Sequence, residues 1–248
     1  MDLADLWSKT SGTWINAATV LVGTLVGLLL ADRLPARMRG IIIQGVGLVT
    51  LAIGFGMVRD LDRGHGGRVD GVVLGLLAIV GGGLLGEWAR IEERLEAVGD
   101  RLKARFSGGG GFTEGFVAAS LLFCVGPLTL IGSLDNGLTG DTTLLGVKAT
   151  LDGLSAIALA GGYGVGVGFS IPVILVYQGG VSLGAGALAR AVPDPANNPA
   201  VLLVTGVGGL LVIGLGINLL ELTRIRVASF LPALVLAPVL HALAVAIG

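Results

Sequence analysis

Charge is what this 248-residue chain most lacks: Asp, Glu, Lys and Arg make up 13% of it, about half the usual share for a water-soluble domain. An ordinary soluble core is therefore excluded. The sixteen basic and seventeen acidic residues nearly cancel. No basic stripe is available for a nucleic-acid partner. A single cysteine, Cys124, excludes an internal disulfide, and its apolar surroundings suit a small hydrophobe. Aromatic residues reach only 5%. No basic stretch precedes the first apolar run, which begins after Asp2, Asp5 and Lys9, so a cleaved signal peptide is not expected.

What the chain has instead is apolar length and glycine. Apolar residues make up 53%, the mean hydropathy is +0.89, and 44 glycines sit inside the apolar runs without a collagen period. A hydrocarbon layer of about 30 Å needs about 20 such residues per helix. Eight stretches qualify: Trp14 to Ala31, Ile41 to Val58, Val69 to Gly86, Thr113 to Leu134, Leu144 to Gly162, Val165 to Leu188, Ala200 to Leu220 and Val227 to Ile247. The fifth and sixth are parted only by Gly161 to Gly164, so one long broken segment is the alternative. The expected fold is an all-α, polytopic transmembrane bundle of about eight spans with broken helices.

Between the third and fourth spans, Trp88, Ile91, Leu95, Val98, Leu102 and Phe106 recur every three or four positions against a charged opposite side. That spacing predicts an amphipathic interfacial helix over 88–106. A glycine-rich joint at 107–112 follows, dividing the chain into a three-span part (1–106) and a five-span part (113–248). Gly75-Leu-Leu-Ala-Ile and Gly209-Leu-Leu-Val-Ile form a faint echo across it. Lys and Arg in alternate loops number ten, including Arg33, Arg94 and Arg224, against five, including Arg59 and Arg190. The excess places both termini outside a bacterial inner membrane.

A charge inside a span costs about 2.5–3.5 kcal/mol even on the insertion scale, so each one asks for a reason. They concentrate between Gly126 and Ser155. Gly126-Pro127 should break a helix and free backbone carbonyls. Ser133, Asp135, Asn136 and Asp141 follow, and Lys148 and Asp152 share one helix face at i, i+4 spacing. Asp141 also suits a helix cap, and the Lys148–Asp152 pair also suits a purely structural role. Asn16, Gln178 and Asn218 are further in-span candidates, as interhelical hydrogen bonders or as pathway residues. Gly162, Gly164, Gly166 and Pro172 mark a second expected break. Glu87 and Glu221 end spans and read as interfacial; His241 stands alone in the last span.

Several enzymatic patterns fail. Gly140 to Thr150 lacks the P-loop glycine before its lysine, and Gly161 to Gly168 has no strand before it and no acidic residue about twenty positions on. An intramembrane aspartyl protease pattern is spoiled at Leu138, ahead of Gly140-Asp141. Paired cysteines, Gly-x-Ser-x-Gly and His-x-x-x-His are missing. No enzyme and no cofactor are expected; whether a metal binds is left open.

Gly12-Thr13-Trp14-Ile15-Asn16, the run from Gly126-Pro127 to Gly140-Asp141 with Lys148 and Leu151-Asp152-Gly153, and Leu231-Pro232-Ala233-Leu234 together resemble the bacterial inner-membrane family called domain of unknown function 554. The resemblance implies a multi-span membrane protein and supplies no site residues. On the residues themselves, the leading expectation is a secondary transporter or ion-conducting protein for a small cation or proton-coupled solute. An anion or amino acid held by Lys148 is the alternative within transport. A non-transporting scaffold that binds a partner, or an intramembrane enzyme, are the other classes. The expected partners are the lipid bilayer and a small ion or solute, with a homo-oligomer also compatible.

Overall fold

A computed structural model describes residues 3–31, 35–106, 109–191, 194 and 197–247. Ser107 and Gly108 of the expected joint lie outside the described residues, as do Arg33 and Asp2. The described chain is helical, with one isolated antiparallel bridge between Gly66 and Val69. Ten α-helices follow one another: α1 Leu3–Ala31, α2 Ala36–Val58, α3 Gly71–Trp88, α4 Ile91–Arg105, α5 Phe112–Cys124, α6 Pro127–Thr139, α7 Thr143–Tyr163, α8 Ile171–Ala191, α9 Pro199–Leu219 and α10 Ala233–Ile247. Short 3-10 segments at Arg59–Arg63, Gly164–Ser170 and Val227–Phe230 extend or join them.

Length and composition alone mark six helical runs able to cross a membrane among the described residues, or seven if bent α5–α6 is one span. One of the six is the 45-residue run Thr143–Ala187. Its hydrogen bonds divide it. Asp152 on α7 and Gln178 on α8 both accept from the same side-chain nitrogen of Asn16. A straight helix would set those two residues about 39 Å apart at 1.5 Å per residue. The chain therefore reverses within 164–170, and the run makes two spans. The turn begins at Gly164, at φ 81° and ψ −157°, backbone space that is essentially reserved for glycine.

The chain forms two compact units that interleave in sequence: residues 1–46 with 96–192, and 47–95 with 193–248. In the first, α1 and α7 run parallel, with Gly12 against Leu145, Gly23 against Ala156 and Gly27 against Ala160. A Cβ on Gly23 would sit 2.3 Å from the Gly153 carbonyl oxygen, so only glycine permits this backbone approach. Helix α8 runs the other way along α1, with Gly168 beside Thr24 and Gly179 beside Thr13. Helices α5 and α6 meet at 58°. Gly111 and Gly115 of this pair lie beside Tyr163 at the end of α7, whereas Asn136 bonds Gly12 near the start of α1. The bent pair thus crosses the unit once.

The second unit packs α2 antiparallel to α9, with Gly54 on Ile213 and Gly47 on Leu220. It packs α3 antiparallel to α10, with Gly82 on Ala233 and Gly86 on Ser229. Helix α3 runs to Trp88 rather than Gly86, and Arg90, at φ 52°, breaks it from α4. The amphipathic helix accordingly begins at Ile91, not at 88. Its buried positions are Glu92 and Gly99; of the apolar stripe, Ile91, Leu95 and Leu102 are half-buried, while Val98 is exposed and neighbouring Phe106 is exposed on one side, its ring 4.8 Å from that of Phe169. That half-exposed stripe suits a helix lying in a membrane interface.

Of the small-residue pairs at helical spacing, Gly23 with Gly27, Gly71 with Gly75 and Gly82 with Gly86 meet a neighbouring element, whereas Gly180 meets nothing within 4 Å. Gly23→Leu should therefore destabilise the detergent-purified protein by about 1–3 kcal/mol or more, while Gly180→Leu should stay within about 0.5 kcal/mol of the parent. Thermal or SDS unfolding monitored by circular dichroism checks both.

Candidate functional site

The polar centre of the first unit is built on the midpoints of three helices. Lys148 and Asp152 sit one turn apart on α7, and the ammonium Nζ is paired with Asp152 Oδ2. Both are buried, at 4% and 7% exposure. Asn16 Nδ2 of α1 donates to the same carboxylate oxygen at 2.9 Å and to Gln178 Oε1 of α8 at 3.0 Å. Asn16 and Gln178 are fully buried. One carboxylate oxygen thus gathers two donors from two helices, and a third helix joins through the asparagine amide.

These bonds orient both amides. A carboxylate oxygen needs a donor, so Asn16 turns its nitrogen toward Asp152; its second hydrogen then takes the carbonyl of Gln178. Asn16 Oδ1 and Gln178 Nε2 are left buried without a protein partner. Thr13 Oγ1, Ser133 Oγ and Ser182 Oγ share that condition. Thr13 lies one turn before Asn16, Ser182 lies one turn after Gln178, and the Ser182 backbone meets α6 at Gly137, one turn after Ser133. Thr13 and Ser182 were not singled out by the sequence. The signal was there, since each repeats a polar residue at helical spacing from Asn16 or Gln178.

The break between α5 and α6 sits beside this centre. Gly126 adopts φ 155° and ψ 156°, open essentially to glycine, and Pro127 follows in the first turn of α6, where its missing donor is harmless. Cys124, the last residue of α5, is buried and within electrostatic reach of Lys148 and Asp152. Thr129 Oγ1 reaches back across the break to the Phe123 carbonyl at 3.4 Å, so that freed carbonyl is already occupied.

The remaining candidates divide. Ser133 is buried in the same unit. Asn136, fully buried, clamps the first turns of α1: it donates to the Ser8 carbonyl and Ser11 Oγ, and accepts from the Gly12 amide. Asp135 is half-buried on α6. Asp141 is exposed; its Oδ1 accepts from the Thr143 amide at 2.8 Å and the Thr143 hydroxyl at 2.6 Å. Those two bonds hold its carboxyl below the usual carboxylate range. Helix α7 starts at Thr143, and Asp141 ties down its first turn. Asn218 lies in the second unit, where both ends of its amide bond Ile225, at 2.7 Å each. At the second break, Gly162 and Gly166 give close approach to Ile43 and Phe112, and Pro172 is in the first turn of α8. Among the described residues no group of three His, Cys, Asp or Glu is placed to hold a metal.

A second polar cluster belongs to the second unit. Arg226 pairs with both Glu87 and Glu93, and Glu92 Oε2 accepts from the Ala228 amide at 2.8 Å. Backbone hydrogen bonding, with Arg226 second, holds Glu93 below its ordinary value of 4.5, and Glu93 in turn raises Arg226. Glu221, expected at an interface, is exposed at φ 55° just past α9.

Buried ion pairing halfway along helices, broken helices and an outward amphipathic helix define a polytopic helical membrane protein. Its first unit surrounds an internal charged site. The chain belongs to the family described as Protein of unknown function (DUF554), whose model matches residues 11–242. It is 28% identical over 228 residues to the uncharacterized membrane protein YdfK of Bacillus subtilis, covering 92% of this chain and 94% of that one. It is 30% identical over 239 residues to the uncharacterized protein YqgA of Escherichia coli, covering 93% and 96%. No solved structure matches.

Removing one member of the buried pair strands the other charge. Lys148→Met and Asp152→Leu should each destabilise by about 3–5 kcal/mol, and the double variant should recover most of the loss. SDS unfolding of all four proteins checks the cycle. At the second cluster, a lowered Glu93 value means its stabilisation is complete above the ordinary value and is lost as pH falls through the folded one. Arg226→Gln removes the second of the two causes and leaves the first, so it should flatten only part of that acid-side decline in thermal midpoint below pH 4.5.

Proposed function

We propose that this protein is a membrane transport protein, a secondary transporter or ion-conducting protein for a small cation or a proton-coupled solute, and not an enzyme. The observation that carries this reading is the Lys148–Asp152 pair, buried at mid-helix beside the α5–α6 break and linked by Asn16 to Gln178. Ionisable groups at membrane depth mark substrate or ion pathways, and sites beside discontinuous helices are a recurring transporter design. Asp152 is the ion-binding carboxylate in this scheme. Lys148 neutralises it in the empty state, and a proton or small cation competes with the ammonium. Asp141, which holds the start of α7 from an exposed position, has no part in it, and Asp135 is a secondary candidate.

We further infer a bacterial inner membrane with both termini outside; the loop-charge excess and the bacterial sources of its relatives support this reading. Scaffolding is the second reading, favoured by one observation: exposed Val98 and Phe106 on and beside α4 offer an apolar stripe to a partner.

A screen of ion and metabolite flux in proteoliposomes tests the transport reading. Asp152→Asn should lower any flux found by more than tenfold, whereas Asp141→Asn, which keeps an acceptor for Thr143, should stay within about twofold. A flux indifferent to Asp152→Asn removes the scheme.

A further inference from the structure

Buried polar atoms without partners are rare in native proteins, and each costs about 1–3 kcal/mol if it stays dry. In the first unit they are not scattered evenly along the helices. Five of them, Thr13 Oγ1, Asn16 Oδ1, Ser133 Oγ, Gln178 Nε2 and Ser182 Oγ, lie from Asp152 toward the end where α1 begins. The helix directions settle this: α1 and α7 leave that end, while α6 and α8 return to it. Asn136 continues the series to Ser11 and Ser8, two turns before Asn16 and about 12 Å away along the axis. Toward the opposite end, α8 opens with the apolar run Ile171–Val176 and α1 closes with Leu25–Leu30, and the unpartnered atoms there are fewer and separate: the Thr24 and Ser120 hydroxyls and Arg39 Nε at the start of α2.

We propose that these groups line a one-sided water file, a half-path through which protons reach Asp152 from the side of the membrane where α1 begins. Water suits the donor set. The leftover atoms are an amide oxygen, an amide nitrogen and three hydroxyls, a neutral mixture of donors and acceptors that a water chain satisfies. A metal ion would need several oxygen ligands, yet Asp152 Oδ2 is faced by the two nitrogen donors Lys148 Nζ and Asn16 Nδ2. A proton needs one carboxylate. Hydronium at the end of the file gives its proton to Asp152 and leaves as water, taking the pair from neutral to a net charge of plus one on Lys148.

Asn16 then carries the change onward. Once protonated, Asp152 can donate to Asn16 Oδ1, the amide turns, and the bond that orients Gln178 is released. The titratable groups around Asp152 are Lys148 on its own helix and the Cys124 thiol of α5. Helices α1 and α8 present Asn16 and Gln178, which do not titrate; the Tyr177 phenol of α8 is an electrostatic neighbour of Cys124 rather than of Asp152. On α6 the nearest charge is Asp135, whose electrostatic neighbour is Asp141. The 164–170 segment carries no ionisable side chain.

This half-path rests on the transport reading for its purpose but not for its existence, so the two fail separately. In a Cys124→Ser background, Ser133→Cys, Ser182→Cys and Thr24→Cys are treated with a membrane-impermeant thiosulfonate in vesicles of known sidedness, with an N-terminal tag marking the face. The first two should be modified at least tenfold faster than Thr24→Cys, and only from the N-terminal face. Equal rates, no modification at 133 and 182, or modification from the opposite face overturns the half-path. A second measurement leaves the cysteines out. Where the flux screen finds proton-coupled uptake, Ser182→Leu should slow it at least tenfold while Ser182→Ala keeps it within about threefold; equal uptake by wild type and Ser182→Leu again overturns the half-path. Labelling as expected with no solute flux would leave the file standing and remove the transporter.

Discussion

A carboxylate held halfway along a membrane helix has no water to solvate it, and the rest of the first unit is arranged around that fact. Asp152 needs a counter-charge and hydrogen-bond donors from protein. Lys148 supplies the first from one turn away, a spacing that α7 provides by itself. Asn16 supplies the second from another helix, and reaches Asp152 because Gly23 and Gly27 let α1 press onto α7 backbone to backbone. Gln178 completes the set from α8, which returns past α1 because the chain reverses at Gly164. Close helix packing and polar satisfaction are therefore one requirement here. Widening the α1–α7 seam would unpair the carboxylate.

The same satisfaction that fixes Asp152 leaves a remainder. Every bond Asn16 spends on Asp152 and Gln178 turns an unused oxygen or nitrogen toward the interior. An arrangement meant purely for stability would replace those amides with apolar side chains, which pack without unpaired atoms. Their presence is therefore not explained by stability alone. The second unit shows the contrast: Asn218, an in-span amide too, has both ends of its side chain taken by Ile225 and is a structural clamp.

Much of this was legible beforehand. Asn16, Lys148, Asp152 and Gln178 stand out in apolar runs because polarity there is expensive, and that physics is local to each helix. Gly126-Pro127 announces its break by backbone chemistry alone. Asp141 looked equally like a pathway residue and a cap; its role depended on which atoms lay within 3 Å, and Thr143 supplied them. Asn218 could not be told from Asn16, because the two differ in what faces them rather than in their own surroundings along the chain. The apolar stripe around α4 was visible as a pattern, but not that Glu92 and Gly99 would turn inward.

Composition and hydropathy alone establish a helical membrane protein, the approximate position of most of its spans, and the cost of polarity at Asn16, Lys148, Asp152 and Gln178. Hydropathy and glycine content act through the solvent and the backbone, so neighbours in space are not needed to read them. Tertiary structure alone decided that α1 joins α7 and α8 while α2 joins α9, which makes the compact units interleave along the chain. It also decided which polar groups would meet and which would be left over. Those outcomes depend on the direction and rotation of helices far apart in sequence, set by where small residues allow backbones to approach. One apolar helix carries no label for the helix that will cover it.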